Sequence, residues 1–342
     1  MMKPARIFTI AAAAMFVSAA ANANCDITYT TKTGDTLSTI AEAEYGDATK
    51  WALIYYGNQS KLKDTNSQIS AGTDLRIPCS FKGLAPTYTP SQVESAEMKL
   101  LTGGNFPPFA DRNWPGQGIA TELLNAIMEE TPSPVTYSIT WEDDWSKHMF
   151  PLLDSKEFDM GFPWARPNCE KNPADAICQN FHFSESLLAL PLMLYVRNDS
   201  TFAFVSDADI HGKTLCRPKG YTTYDLDRDG RDWLKNGLIT LTTPDSPADC
   251  FGLLMKDQVD AVTFNAFLGN LTLKELGLTG EIKSLEKPLS LQSLHVIISK
   301  KHWRGTAHLY RINAGIAAIK ESGRYSEIVS RQLSIFENSL KW

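Results

Sequence analysis

Apolar positions recur along this chain in two rhythms, a helical one of about 3.6 residues and a strand-like alternation, and these divide it into segments. A first apolar run, Ile7 to Ala21, follows the basic residues Lys3 and Arg6 and ends at Ala21-Asn22-Ala23. That order predicts an export signal cleaved after Ala23, and the run is short for a membrane span. Ile27 to Thr31 then reads as a strand. Leu37, Ile40, Ala41 and Tyr45 mark one face of a helix that Asp35 or Thr36 can cap and Gly46 stops. Trp51, Ile54 and Tyr55 mark a second helix, and Leu75-Arg76-Ile77-Pro78 a second strand, its Pro suiting an edge. Residues 80–97, with Gly83, Pro86 and Pro90, read as a linker.

From residue 98 onward, strand-like runs alternate with helical patterns. Met98 to Thr102 precedes a helix bearing Leu123, Leu124, Ile127 and Met128, and Val135, Tyr137, Ile139 and Trp141 alternate as a half-buried strand. Further strands are expected at 158–162, 192–196, 214–216, 238–241, 261–264 and 294–298, and Leu309, Ile312, Ile316 and Ile319 form a late helical stripe. This alternation predicts an α/β body of two lobes with mostly parallel strands.

Composition narrows the function. The chain has 342 residues, 43% hydrophobic and 21% charged, which excludes disordered and fibrous classes. Its net charge of −6 becomes −8 when the leader's Lys3 and Arg6 leave, which argues against a nucleic-acid partner. No later segment approaches a membrane span, so a periplasmic protein that is not integral to the membrane is expected. Six Cys in an exported chain suggest disulfides, whose pairing the spacing leaves open. Cys25 could instead carry a lipid, but Asn24 stands where that signal has a small residue. The six His, at 148, 182, 211, 295, 302 and 308, show no metal-ligand spacing, and neither a metal nor a cofactor is expected.

Residues 24–79 resemble the LysM domain, a βααβ glycan-binding module. The matches are Tyr29, Gly34-Asp35-Thr36-Leu37, Ile40-Ala41, Tyr45-Gly46, Trp51, Ile54, Asn58, Ile69, Gly72 and Leu75-x-Ile77-Pro78. The resemblance implies binding of N-acetylglucosamine polymers, hence peptidoglycan. The groove would lie between Gly34 to Leu37 and Ser67 to Gly72, with Gly34, Asp35, Thr36, Leu37 and Ile69 as contact residues. A Cys25–Cys79 bridge would join the module's two ends.

Residues 98–342 resemble periplasmic solute-binding proteins of the amino-acid-binding class, the two-lobed type II fold. The ordered matches include Phe106-Pro107-Pro108-Phe109, Gly116, Gly118, Trp145, Phe158-Asp159-Met160-Gly161 and Arg166. They continue with Phe183-Ser184, Gly212-Lys213, Gly220-Tyr221-Thr222, Val259-Asp260-Ala261-Val262, Asn313 and Gly323-Arg324-Tyr325. The resemblance implies lobe 1 from about 98–195 and 288–342, lobe 2 from about 196–287, and a ligand in the cleft. Phe106, Phe109 and Trp145 would wall the site, and Trp164, where the family has small hydroxyls, would add a ring for a solute to stack on. Arg166 would grip a carboxylate, with Tyr221 and Thr222 meeting it from lobe 2. The resemblance also favours bridges Cys169–Cys178 and Cys216–Cys250.

Two departures bear on the ligand. The position of the family's ammonium-binding carboxylate is Asn265, and the usual Ser/Thr-rich segment is Gly161-Phe162-Pro163-Trp164-Ala165. Both favour a carboxylated solute or a cell-wall fragment over an ordinary α-amino acid. The reading is a non-enzymatic binding protein serving an ABC importer, with a wall-associated sensor or scaffold as its rival and a peptidoglycan-active enzyme third. Asp225-x-Asp227-x-Asp229-Gly230 copies the start of a calcium loop, but its twelfth position is Asn236 rather than Glu.

Overall fold

The structure is a computed structural model that describes residues 26–59, 61–62, 69–78, 96–132, 134–228 and 230–341. The expected leader, the Cys25–Cys79 bridge and residues 80–95 of the expected linker lie outside them.

The first unit is β1 (Ile27–Thr30), α1 (Leu37–Tyr45), α2 (Trp51–Gly57) and β2 (Asp74–Ile77), its two strands pairing antiparallel. Thr36 caps α1 by accepting from the Thr39 N–H. Ile40, Leu53, Ile54, Leu75 and Ile77 are buried between helices and strands, as the apolar spacing requires.

The body begins with β3 (Met98–Thr102), α3 (Ile119–Glu129), β4 (Tyr137–Trp141), β5 (Met160–Ala165), α4 (Ala176–Asn180) and β6 (Phe181–Phe183). β7 (Leu188–Arg197) leads into β8 (Thr214–Cys216), β9 (Thr240–Thr242), α5 (Pro247–Met255), β10 (Ala261–Asn265), α6 (Ala266–Glu275) and β11 (Ile282–Ser284). β12 (Ser290–Ser299) returns, followed by α7 (Gly305–Glu321) and α8 (Arg324–Leu340).

The sheet runs β4-β3-β5-β12-β7-β10-β8-β9. Parallel pairing, expected for most of the sheet, is confined to its two ends, β4-β3-β5 and β10-β8-β9. Between them the long strands β7 and β12 pair antiparallel over Leu188–Leu192 and Ser290–Leu294. Beyond that crossing each strand enters a different lobe: β12 joins β5 and β6, whereas β7 joins β10 and β11. Two strands shared this way make the lobe junction a hinge. Disulfides close Cys169–Cys178, after β5, and Cys216–Cys250, tying β8 to α5. No described helix is long and apolar enough to cross a membrane.

The N-terminal unit does not stand apart from this body. Its apolar cluster is continuous with that of lobe 1. The Tyr56 hydroxyl donates to the Ala189 carbonyl on β7, and Tyr325 on α8 donates to Gln59 Oε1 at 3.2 Å. Burial beneath this contact pushes the Glu337 carboxyl on α8 up to about 7, against the attraction of Lys50 and with the repulsion of Asp47. A raised carboxyl makes the folded chain hold a proton that the unfolded chain has lost. Stability therefore falls as pH rises from about 4.5 to about 7, then levels off. Glu337→Gln removes the penalty. Thermal melts should show it stabilising by about 1–2 kcal/mol at pH 8, a figure reduced for the solvent at this half-buried position, and by nothing near pH 4.5.

Candidate functional site

In open α/β sheets, ligands bind beyond the carboxyl ends of the parallel strands, where loops diverge. β3, β4 and β5 end at Thr102, Trp141 and Ala165, and the loops after them carry Phe106, Trp145 and Arg166. β8 and β10 end at Cys216 and Asn265, with Tyr221 and Thr222 following β8.

The lobe 1 side is built by close approach. Gly118 opens α3 at φ +100°, and a Cβ there would lie 2.4 Å from the Phe109 carbonyl oxygen, so only Gly permits this contact. Backbone bonds from Ile119 to Pro108 and from Ala120 to Phe109 then fix the Phe106–Phe109 turn against α3. Trp145 lies directly over Gly103, where a Cβ would meet its ring at 2.6 Å, and its indole N–H donates to the Gly104 carbonyl at 3.0 Å. Phe106 meets Trp145 edge-on at 6.1 Å between ring centroids, and Trp145 meets Trp164 at 5.4 Å. Trp164 Nε1 has no hydrogen-bond partner among the described residues. Beside this wall Arg166 is exposed, its guanidinium 5.8 Å from the Phe183 ring, with no ion pair among the described residues.

Phe106, Trp145 and Trp164 therefore come together, while Arg166, two residues after Trp164, has its guanidinium near Phe183 and His295. Phe109 stacks against Phe106 at 5.0 Å but is itself fully buried, its other side packed on Phe267 of lobe 2 at 5.0 Å. Asn265 is also buried, and its Oδ1 caps α6 by accepting from the Leu268 N–H at 2.9 Å. On lobe 2 Tyr221 is part-exposed, with its ring 4.7 Å from that of Phe264. The Thr222 hydroxyl accepts from Gln292 on β12 at 2.8 Å, and its carbonyl accepts from Arg217 at 2.7 Å.

Sequence reasoning missed several groups around this cleft. Gln292 lies on a strand shared by both lobes, and His148 stacks under Trp145 at 4.8 Å. His295 is paired opposite Trp164, and its ring nitrogens meet the Ser184 carbonyl and the Ser293 hydroxyl at 2.7 and 2.6 Å. Burial lowers the pKa of both histidines, and nearby Arg166 lowers that of His295 further. His295 carries no sequence signal because Ser184, which orients it, lies far away in the chain, and His148, though held by nearby Glu142 and Trp145, forms no recognisable motif with them.

The buried Arg217 is the largest omission. It forms two hydrogen bonds with the carboxylate of Asp225, at 2.6 and 3.0 Å, and a third with Thr263 Oγ1 at 2.9 Å. The calcium-like run is thus committed elsewhere: Asp225 to Arg217, and Asp227 Oδ1 to the Leu234 and Lys235 N–H groups.

Two surface hollows lie at the far ends of the strands. One of about 460 Å³ is lined by Arg197, Thr214 and Asp260, and one of about 220 Å³ by Met98, Val135 and His308. In the larger, Arg197 is already paired with Asp199 and Asp257. We place the site at the cleft because a cluster of aromatic rings and an exposed guanidinium, without an ion pair among the described residues, lie at the carboxyl ends of β3, β4 and β5.

In the N-terminal unit, the Thr31 N–H donates to Thr73, the Gly72 N–H donates to Thr31, and Thr31 Oγ1 donates to Ser70, so the loops after β1 and before β2 lie side by side. Gly34 is exposed, and Leu37 and Ile69 are half-buried at this end. Asp35 braces its own loop, accepting from Tyr29 and the Lys32 N–H at 2.9 and 2.7 Å, while Thr36 caps α1.

A model of the bacterial extracellular solute-binding proteins, family 3, matches residues 98–334. No curated protein matches the chain. Among solved structures, a variant of ArgBP from T. maritima is similar at 21% identity and a TM-score of 0.51, over 69% of this chain and 95% of the other. The VFT2 domain of Bordetella pertussis BvgS is similar at 16% identity, covering 69% and 92%, with a TM-score of 0.51. A histidine kinase sensor domain with similarity to periplasmic binding proteins is similar at 20%, covering 69% and 96%, again at 0.51. At such identities the likeness is one of fold.

Proposed function

Because the chain belongs to the bacterial extracellular solute-binding proteins, family 3, we propose that it captures a small carboxylated or otherwise anionic solute between its lobes. It is an extracytoplasmic binding protein rather than an enzyme. The observation that carries the proposal is an exposed Arg166, with no ion pair among the described residues, just beyond the strand that brings Trp164 to Trp145 and Phe106. A planar guanidinium suits a carboxylate in two-point contact, and the rings shield that contact from water. An α-amino acid fits less well. Asn265 is neutral and its oxygen caps a helix, so that position offers an ammonium group no carboxylate.

The N-terminal βααβ unit, which resembles LysM, binds peptidoglycan in this reading through Gly34, Asp35, Thr36, Leu37 and Ile69. Docked on α8 and β7, it would hold the solute site near the wall, and delivery to an ABC permease would follow. A wall-associated sensor or scaffold is the second reading. It is favoured by Thr222, whose hydroxyl and carbonyl are both engaged within the protein.

A thermal-shift screen of organic acids, free amino acids and muropeptides tests the solute class. A ligand at 100 times its Kd should stabilise the chain by about 2.7 kcal/mol. Hits confined to free amino acids would overturn the class, and no hit at all would favour the scaffold. For the module, co-sedimentation with purified sacculi should be lost in the double variant Leu37→Asp and Ile69→Asp. Undiminished sedimentation of that variant would remove the glycan assignment.

A further inference from the structure

We infer that Asp159, His302 and His308 form a binding site for a divalent transition metal, zinc being the natural occupant, on the face of lobe 1 opposite the solute cleft. One ligand atom from each residue lies within 4.8 Å of the other two. Three separate elements bring them together: Asp159 precedes β5, His302 follows β12, and His308 lies in the first turns of α7. Asp159 is held in place, its Oδ2 accepting from the Lys99 N–H at 2.6 Å and its own N–H donating to the Lys99 carbonyl. Its Oδ1 stands 2.9 Å from His302 Nε2 and 3.8 Å from His308 Nε2. Ligands about 2.0–2.2 Å from a tetrahedral zinc stand ~3.3 Å apart, a spacing these two distances bracket.

His308 supplies the independent reason to look for a ligand. It is 94% buried by its 6% exposure, yet neither ring nitrogen has a hydrogen-bond partner among the described residues. Buried polar atoms are ordinarily satisfied, and an imidazole left without partners on both sides suits a metal-ligand position. The hollow lined by Glu97, Arg304, His308 and Arg311 opens onto it from solvent.

The donor set selects the metal class: two imidazoles and a single carboxylate, Asp159, form the cluster, and Arg304 and Arg311 beside it add no oxygen ligand. Calcium and magnesium need several hard oxygen ligands, so they are excluded. Zinc, and cobalt as its spectroscopic substitute, bond well to imidazole nitrogen. Binding through His302 Nε2 moves that ring's proton to Nδ1 and ends the bond Nδ1 accepts from the Arg304 N–H at 3.1 Å.

The test uses the untagged full chain titrated with Zn²⁺ alone and, separately, with Co²⁺ alone. One Zn²⁺ should bind per chain, the Co²⁺ form should show the intense visible bands of four-coordinate cobalt, and Ca²⁺ should compete with neither. His308→Ala and Asp159→Asn should each weaken Zn²⁺ binding by about 10-fold or more, while His211→Ala, at an exposed histidine outside the cluster, leaves it unchanged. Absence of both Zn²⁺ binding and cobalt bands in the unaltered chain overturns the inference whatever the variants do. So does unchanged binding in a folded His308→Ala.

Discussion

Replacing Arg217 with Ala should destabilise the protein by about 3–5 kcal/mol, read from denaturant unfolding at pH 7. Arg217 and Asp225 are both almost fully buried, at 2% and 1% side-chain exposure. Removing the guanidinium leaves a carboxylate in a medium that solvates it poorly, with the Ser290 hydroxyl at 2.9 Å and its own backbone N–H in place of the lost cation. Asp225→Asn should cost a similar amount, because it strands the cation. The double variant Arg217→Met with Asp225→Leu should be less destabilised than either single change, since an apolar pair leaves no uncompensated charge. Burial raises the Asp225 carboxyl, but the charge and hydrogen bonds of Arg217 outweigh it and hold the group below its usual range. A depressed carboxyl contributes stability above its unfolded value of about 4 that is lost as pH falls through the folded value. The gap between wild type and Asp225→Asn should therefore narrow on acidification. Full additivity of the two single changes would show that the pair does not act as a unit.

Arg166→Ala should weaken the best anionic ligand by about 100-fold, some ~2.7 kcal/mol, while leaving unfolding stability within about 0.5 kcal/mol of wild type. The two readouts separate because Arg166 is exposed and touches the fold chiefly through the Phe183 ring. Arg166→Lys should recover only part of the affinity, since an ammonium keeps the charge but loses the two-point fork. Loss of stability matching the loss of affinity would instead make Arg166 a structural residue.

Much of the scaffold was legible in the sequence because apolar periodicity reports which face is buried. The α3 stripe of Leu123, Leu124, Ile127 and Met128 is buried as expected, and so is alternating Ile139 on β4. What periodicity could not reveal was pairing. β7 is long and almost continuously apolar and β12 mixes Ser290, Gln292, Ser293 and His295 with its apolar residues, so nothing local says that each strand changes partners midway and joins two lobes. The docking of the N-terminal unit was hidden for a related reason: Tyr56, Tyr325 and Glu337 are ordinary helix residues, and Gln59 an ordinary turn residue, until α2 meets α8.

The site shows the same division. Phe106, Trp145 and Arg166 stood out through ordered motifs and Trp164 as a departure from them, and the three rings do meet at the strand ends. Asp225 resembled a calcium ligand because the sequence shows its neighbours in the chain but not the Arg217 guanidinium beside it. Asp159 and His308 likewise stand far apart in sequence and meet only when β5 and α7 pack together.

The central claim is that the cleft holds an anionic solute through Arg166 against the Trp145–Trp164 wall. Calorimetric titration of the best carboxylated hit into wild type, Arg166→Ala and Trp164→Ala tests it most directly. The account predicts one site per wild-type chain and markedly weaker binding in both variants, with folding intact. Equal affinity in wild type and Arg166→Ala would contradict it.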